Sequence, residues 1–267
     1  MLPPPSKDGA VVVTGASSGI GEAIAREFAR RGYQLVLVAR RAERLRELAE
    51  SLGGVTRALT IDLSIPAERA TVPEQVAALG LVTDVLVNNA GTSNLGPVAA
   101  SDPDAEVRLV ELDVSAVVDL CSRFVPGMVD RGRGAVLNVA SVGAFGPVPG
   151  QATYGAAKAF VLSYTEAMRQ ELRGTGVTAA TLCPGPVRTR FGESVGIPDD
   201  EAEKSLPKFM WMQPDAVAKI AVDGLSSGKG VIVPGVANRI ASLINHYLPR
   251  RLLLPMVARN HPGLKKI

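Results

Sequence analysis

Short runs of β-branched and aliphatic residues recur along the chain, and amphipathic stretches separate them. AVVVT (10–14), QLVLVA (34–39), RALTID (57–62), DVLVNNA (84–90), GAVLNVAS (134–141), VTAATLCP (177–184) and GVIVP (230–234) lack regular polar alternation. Such runs read as strands buried on both faces. Residues 20–32 place Ala23, Ile24, Phe28 and Ala29 along one helical face and stop at Gly32. Residues 42–52 carry leucine at 45, 48 and 52 and stop at Gly53-Gly54. A polar helix follows the third run, and further helices are expected over about 104–131 and 152–173. Strands and helices in this alternation predict an α/β fold, a doubly wound parallel sheet with helices on both faces. No linker or repeat divides it, so residues 1–235 form a single domain and 236–267 an extension of it.

Composition narrows the classes. Hydrophobic residues fill 46% of 267 positions, enough for a large core and too many for a disordered chain. Cys121 and Cys183 make neither a disulfide framework nor a paired metal spacing and are expected in the core. With only His246 and His261 besides, no metal site is expected. The first residues lack the pattern of a signal peptide, and no apolar run reaches about 18 residues, so the expectation is a soluble cytoplasmic protein. The net charge of +3 is unevenly placed. Seven Lys/Arg and no Asp or Glu follow Asp223, leaving 22 of the 29 basic residues against all 26 acidic ones in residues 1–223. That tail is too apolar and too sparsely charged for a nucleic-acid arm.

Between the first strand and first helix lies Thr14-Gly15-Ala16-Ser17-Ser18-Gly19-Ile20-Gly21. Residues without Cβ permit a tight turn there, and the helix N-terminus that follows aims backbone N–H groups at a phosphate. The spacing is G-x-x-x-G-x-G rather than G-x-G-x-x-G, so its position after a strand carries the inference. An NAD site ordinarily has a carboxylate about 20 positions further on. Here that place holds Arg40 and Arg41. A guanidinium suits a 2′-phosphate, which favours NADP(H) over NAD(H), with Arg40 as the first candidate and Arg41 beside it.

Tyr154 and Lys158 stand four apart at the start of a helix, which puts phenol and ammonium on one face. A neighbouring ammonium favours the phenolate and is expected to lower the tyrosine pKa. Ser141 ends the preceding strand, at the carboxyl edge where such sheets meet ligands. Its hydroxyl can hold a carbonyl oxygen while the tyrosine gives or takes a proton.

In combination these segments resemble the short-chain dehydrogenase/reductase family in its single-domain form. The match runs through Thr14–Gly21, Asp62-Leu63, Asn88-Asn89-Ala90-Gly91, Ser141, Tyr154/Lys158 and Pro184-Gly185-Pro186-Val187. The resemblance implies a Rossmann-like fold and an oxidoreductase acting on CH–OH or C=O groups. It further implies that Asp62 contacts the adenine and that Asn89, Ala90 and Gly91 lie beside the cofactor. By the same resemblance Pro184–Thr189 lines the nicotinamide, and Lys158 bonds its ribose. A homodimer or homotetramer through the helices around 104–131 and 152–173 is also implied. One position departs from the family. Asp113 stands where an asparagine usually supports a water chain to the lysine, and an ionised aspartate cannot donate as an amide does. Three readings follow for Asp113: it holds the water chain, it pairs with Lys158 and alters the tyrosine, or it is a silent variation.

The resemblance places a substrate lid at about 188–212, where Phe191, Phe209, Met210, Trp211 and Met212 concentrate in a chain only 4% aromatic. They favour a hydrophobic carbonyl substrate, with a 3-oxoacyl or lipid-type ketone first and a hydroxysteroid second; docking of the lid on the body explains them equally. The helical, basic tail fits a membrane surface or an acidic carrier, or simply packs on the body or a neighbouring subunit. A protein that kept the nucleotide pocket as a scaffold and lost the chemistry is the contrasting reading, which intact Ser141, Tyr154 and Lys158 oppose.

Overall fold

The structure, a computed structural model, describes residues 2–189, 191, 207–260 and 262–264. Every strand in the sheet is parallel to its neighbours, because each return to the sheet passes through a covering helix or loop. The elements run β1 (Gly9–Thr14), α1 (Gly19–Arg30), β2 (Gln34–Ala39), α2 (Ala42–Leu52) and β3 (Thr56–Thr60). Two short helices, α3 (Pro66–Ala70) and α4 (Val72–Ala78), replace the one polar helix expected, since Pro66 and Pro73 each start a new helix. Next come β4 (Val82–Asn88), α5 (Pro103–Val110), α6 (Ala116–Asp130), β5 (Gly134–Val139), α7 (Ala152–Glu171) and β6 (Val177–Leu182). The described chain closes with α8 (Pro214–Ser226), β7 (Val231–Ile232), α9 (Val236–Tyr247) and α10 (Arg250–Asn260).

The strand order is β3-β2-β1-β4-β5-β6-β7. It reverses direction between β1 and β4, and at that switch point the loops leaving the two carboxyl ends diverge and leave a crevice. Alternate residues of each strand feed two separate cores. Val12, Val36, Leu86 and Val136 pack beneath α6 and α7, while Val11, Val13, Leu35 and Leu137 pack beneath α1 and α8. This two-sided burial is the reason the strands read as continuous apolar runs.

Two features lie outside the sequence expectation. The helix expected over 104–131 is broken by a π-helical turn, Glu111–Ser115, between α5 and α6. The second is a buried polar ladder within the core beneath α6 and α7. Asn88 Nδ2 donates to Asn138 Oδ1 (2.9 Å), Asn138 Nδ2 to Thr165 Oγ1 (2.9 Å), and Thr165 Oγ1 to the Val161 carbonyl (2.6 Å). It fastens α7 to β5 and β4 at a fixed height, because apart from the Cys121 thiol, which accepts from Asn88 Nδ2 at 3.3 Å, the core around these amides is apolar. Cys121 and Cys183 sit buried as expected, and burial pushes both thiols up to about 12. Asn138→Ala should therefore leave the Asn88 amide and the Thr165 hydroxyl short of a partner and lower unfolding free energy by roughly 1–3 kcal/mol for each group. Urea denaturation of the variant against the parent chain checks this, and an unchanged midpoint would rule out the ladder as a stabilising contact.

Candidate active site

The turn after β1 is shaped by what surrounds it. Gly15 (φ 63°) and Gly19 (φ 61°) occupy the left-handed region. A Cβ on Gly15 would also stand 2.8 Å from the Ala90 Cα. Thr14, fully buried, donates its hydroxyl to the Val87 carbonyl and accepts the amides of Asn89 (2.9 Å) and Ala90 (3.0 Å). Asn89 Nδ2 returns a bond to the Thr14 carbonyl (3.0 Å) and another to that of Gly15 (3.3 Å). The turn after β1 and the segment after β4 are thus laced across the switch point. Ser18 is the N-cap of α1 but makes no side-chain cap bond, so the first turn presents its amides to the crevice.

The two arginines after β2 diverge. Arg41 folds back over the glycine turn, bonding Ser17 Oγ (3.0 Å) and Ser18 Oγ (2.7 Å) through Nη2. Arg40 is exposed and forms a long ion pair with Asp62, 3.8 Å. Burial alone would raise the Asp62 pKa, but two bonds from Ser64 and the Arg40 charge hold its carboxyl below the usual range. The structure thus seats Arg41, the secondary candidate from the sequence, directly on the turn. Leu63 is buried, and its carbonyl accepts a bond from Arg69.

At the centre stands Lys158, buried on α7. Its Nζ lies 2.9 Å from Asp113 Oδ2 and donates to the Val139 carbonyl at 3.3 Å. Asp113 is wholly inaccessible, and its other oxygen accepts the Thr92 amide at 2.8 Å. The π turn is what brings it there, because the added residue in the helical turn carries Asp113 toward α7. Gly91 lies against the pair: a Cβ at that position would be 3.0 Å from Asp113 Oδ2 and 3.2 Å from Lys158 Nζ. Of the readings open for Asp113, the structure has the direct pair with Lys158.

Tyr154 is half-buried one helical turn before Lys158, with the ammonium 5.7 Å from its ring centre. The Ser141 hydroxyl accepts the Gly143 amide at 3.1 Å and lies near enough to the Tyr154 phenol to favour its ionised form. The expected lowering of the tyrosine pKa is not what the structure gives. Burial pushes the phenol up, Lys158 and Ser141 pull it down, and Asp113 pushes it up again, for a net rise. The family's usual asparagine would lack that last contribution, so the reversal traces in part to Asp113. A phenol held in its neutral form is a proton donor at neutral pH.

The turn Pro184–Val187 closes the opposite wall, tied down by Val142 N to the Pro184 carbonyl and by a parallel bridge from Val187 to Met212. Gly185 lies against Asn238 of α9, and Thr189 lies against Gly19. Much of the expected lid lies outside the described residues. Of its described aromatics, the Phe191 ring sits 6.3 Å from that of Tyr154, whereas Phe209 turns outward. The sequence reading missed α9 as part of the site's wall, and the polar residues at 238 and 242 within an apolar-looking helix were the available signal.

The sequence profile of the short chain dehydrogenases matches residues 9–199. Sulfoacetaldehyde reductase 2 of Chromohalobacter salexigens is 38% identical over 68% of this chain and 73% of its own length. The NADP-dependent 3-hydroxy acid dehydrogenase YdfG of Escherichia coli is 32% identical over 78% of this chain and 86% of its own. Among solved structures, a short-chain dehydrogenase from Sphingobium yanoikuyae in complex with NADPH superposes with a TM-score of 0.79. It is 34% identical and covers 92% of this chain and 95% of its own.

Asp113→Asn keeps an acceptor for the Thr92 amide but removes the charge beside Lys158. The Tyr154 phenol should then titrate at lower pH than in the parent chain, because the contribution that raises it is gone. Ultraviolet difference titration of tyrosine, with Tyr154→Phe as the blank, measures the shift, and an unmoved or rising pKa would refute the coupling.

Proposed function

This chain belongs to the short chain dehydrogenase family, oxidoreductases that act on hydroxyl and carbonyl groups, and from that premise we propose that it is an NADPH-dependent reductase of a hydrophobic ketone. The observation that carries the proposal is the convergence of Ser141, Tyr154 and the buried Lys158–Asp113 pair at the carboxyl edge of the sheet, with Phe191 against the tyrosine ring. The crevice fits a dinucleotide. Its glycines leave backbone room, the first turn of α1 offers amides, and Asn89 braces the turn without obstructing it. Asp62 and Leu63 border the adenine end, and Asn89, Ala90 and Gly91 run along the middle. Pro184, Gly185, Val187 and Thr189 wall the nicotinamide end. Bound there, the reduced nicotinamide supplies the hydride.

The chain's own residues supply the rest. Ser141, its hydroxyl oriented by the Gly143 amide, holds the carbonyl oxygen of the substrate. Tyr154, kept neutral by burial and by Asp113, delivers its proton to that oxygen as negative charge develops there. Lys158 stabilises the phenolate left behind and bonds the ribose. Asp113 holds the ammonium in place and opposes phenolate formation in the free enzyme, which suits the chain to reduction near neutral pH more than to alcohol oxidation.

Arg40 and Arg41 in place of a carboxylate support NADP(H) over NAD(H), and the E. coli relative and the Sphingobium structure are both described with that cofactor. Phe191 beside the Tyr154 ring supports a lipid-type or 3-oxoacyl ketone. A small acid is the second reading, favoured by the names of the two relatives, which act on sulfoacetaldehyde and on 3-hydroxy acids. Outward-turned Val107, Val110 and Phe160 on α5 and α7 support assembly through those helices.

Tyr154→Phe removes only the proton donor. Turnover of an accepted ketone should fall about a hundred- to ten-thousandfold, while NADPH affinity, read by fluorescence titration, stays as it was. Retained turnover would transfer the proton role elsewhere, and no turnover in the parent chain with any medium-chain 3-oxoacyl thioester, steroid ketone or 3-oxo acid would favour the scaffold reading. Arg41→Ala should weaken NADPH by about tenfold, the loss of roughly one charge-assisted contact, with little effect on NADH. Arg40→Ala should do the same to a smaller degree. Equal losses for the two cofactors would show that neither arginine meets the 2′-phosphate.

A further inference from the structure

Helix α9 is inside out. Its inward face is polar: Asn238 is 1% exposed and donates to the Pro234 and Met210 carbonyls, and Ser242 is 4% exposed with its hydroxyl on the Arg239 carbonyl. Its outward face is apolar. Val236, Ile240, Leu243, Ile244 and Tyr247 recur at helical spacing and are each between 48% and 75% exposed. A helix on a water-facing surface ordinarily does the reverse. Helix α10 continues the surface with Leu252 and Met256, one turn apart and more than half exposed.

Charge identifies the occupant. The exposed ionised residues on these two helices are all arginines, Arg239, Arg250, Arg251 and Arg259, and no Asp or Glu occurs after Asp223. Arg239 shares a helix side with Leu243 four positions on, and Arg259 with Met256 three positions before, so cations flank the apolar face. A second copy of the chain meeting this face about a two-fold axis would press arginine against arginine. An anionic lipid surface takes both components at once, apolar side chains into the acyl boundary and guanidiniums among the phosphates. Among the described residues no helix is long and apolar enough to cross a membrane, so the contact is interfacial.

We propose that the outward face of α9 and α10 docks the protein on an anionic bilayer, with the two helices lying in the plane of the headgroups. Their inward side bears on the site. Asn238 packs on Gly185, Asn245 and Arg250 pack on Gly146, and the His246 ring meets Phe145 in the turn that follows Ser141. Docking therefore sets the catalytic crevice about one helix diameter, ~10 Å, from the lipid. A membrane-dissolved ketone then reaches Tyr154 without passing through bulk water. That last step rests on the reductase reading, whereas docking itself does not.

The test uses the full chain and vesicles of phosphatidylcholine with or without phosphatidylglycerol, with no substrate present. The chain should sediment with the phosphatidylglycerol vesicles, release as salt is raised, and bind pure phosphatidylcholine at least about tenfold more weakly. The double variant Ile240→Asp/Leu243→Asp changes only exposed positions. It should keep the parent's circular dichroism, melting temperature and NADPH affinity while losing vesicle binding. Arg251→Glu/Arg259→Glu should lose the preference for phosphatidylglycerol. Absence of vesicle binding by the parent chain, or equal binding by the aspartate variant, would overturn the proposal. So would a parent dimer that fails to bind vesicles and that the aspartate variant splits in light scattering, which would give the face to a second copy.

Discussion

A carboxylate closed off from water and a nearly buried ammonium 2.9 Å from it set the terms for everything around them. Neither charge is tolerable alone in that position, since a buried ion without its partner costs several kcal/mol. The helix carrying Asp113 gives up regular α geometry to deliver it, the neighbouring chain gives up a side chain at Gly91, and the Thr92 amide takes the remaining carboxylate oxygen. Lys158 is thereby fixed, and with it the charge that Tyr154 feels. Proton chemistry at the tyrosine is then a balance among burial, one cation and one anion rather than a property of the tyrosine and lysine alone.

A second constraint holds the same helix from its other end. The ladder from Asn88 through Asn138 to Thr165 attaches α7 to the carboxyl ends of the two central strands, directly beneath the crevice. Buried amides in an apolar core tolerate no sliding, because a shift that breaks one bond strands its neighbours. Across the switch point, Thr14 and Asn89 do for the two loops what the ladder does for the helix. The crevice and Tyr154 therefore stand on supports that meet at Gly91 and Thr92, where the segment after β4 packs on and bonds the Lys158–Asp113 pair.

Much of this was legible in the sequence. Apolar runs without alternation predicted parallel strands because both faces of each are buried, and they located all seven. Ser141, Tyr154 and Lys158 were legible from spacing and position, and the glycine turn from its place after β1. What escaped were relations that depend on the third dimension. The π turn escaped because 104–131 reads as one helical run, although an added residue displaces the apolar register of α6 from that of α5 by one position. The division of roles between Arg40 and Arg41 follows from the direction the chain takes at the N-cap of α2, where two adjacent arginines point apart. The inversion of α9 was hidden because an amphipathic pattern reports that two faces differ, and not which one meets the body.

The π turn between α5 and α6 also has a consequence for how this region varies. One residue added to a regular α-helix would turn everything beyond it by about 100°. The wider π turn takes up that residue, so the apolar registers of α5 and α6 differ by one position in sequence while the helix axis runs on. The exposed side of α5, with Val107 and Val110, and the buried side of α6, with Leu120 and Phe124, follow two sequence registers joined at the wide turn. Substitutions that remodel the outer face of the first half need not disturb the core packing of the second. A deletion within 111–115, by contrast, closes the wide turn to regular helix and withdraws Asp113 from Lys158 while leaving the packing of α6 in place.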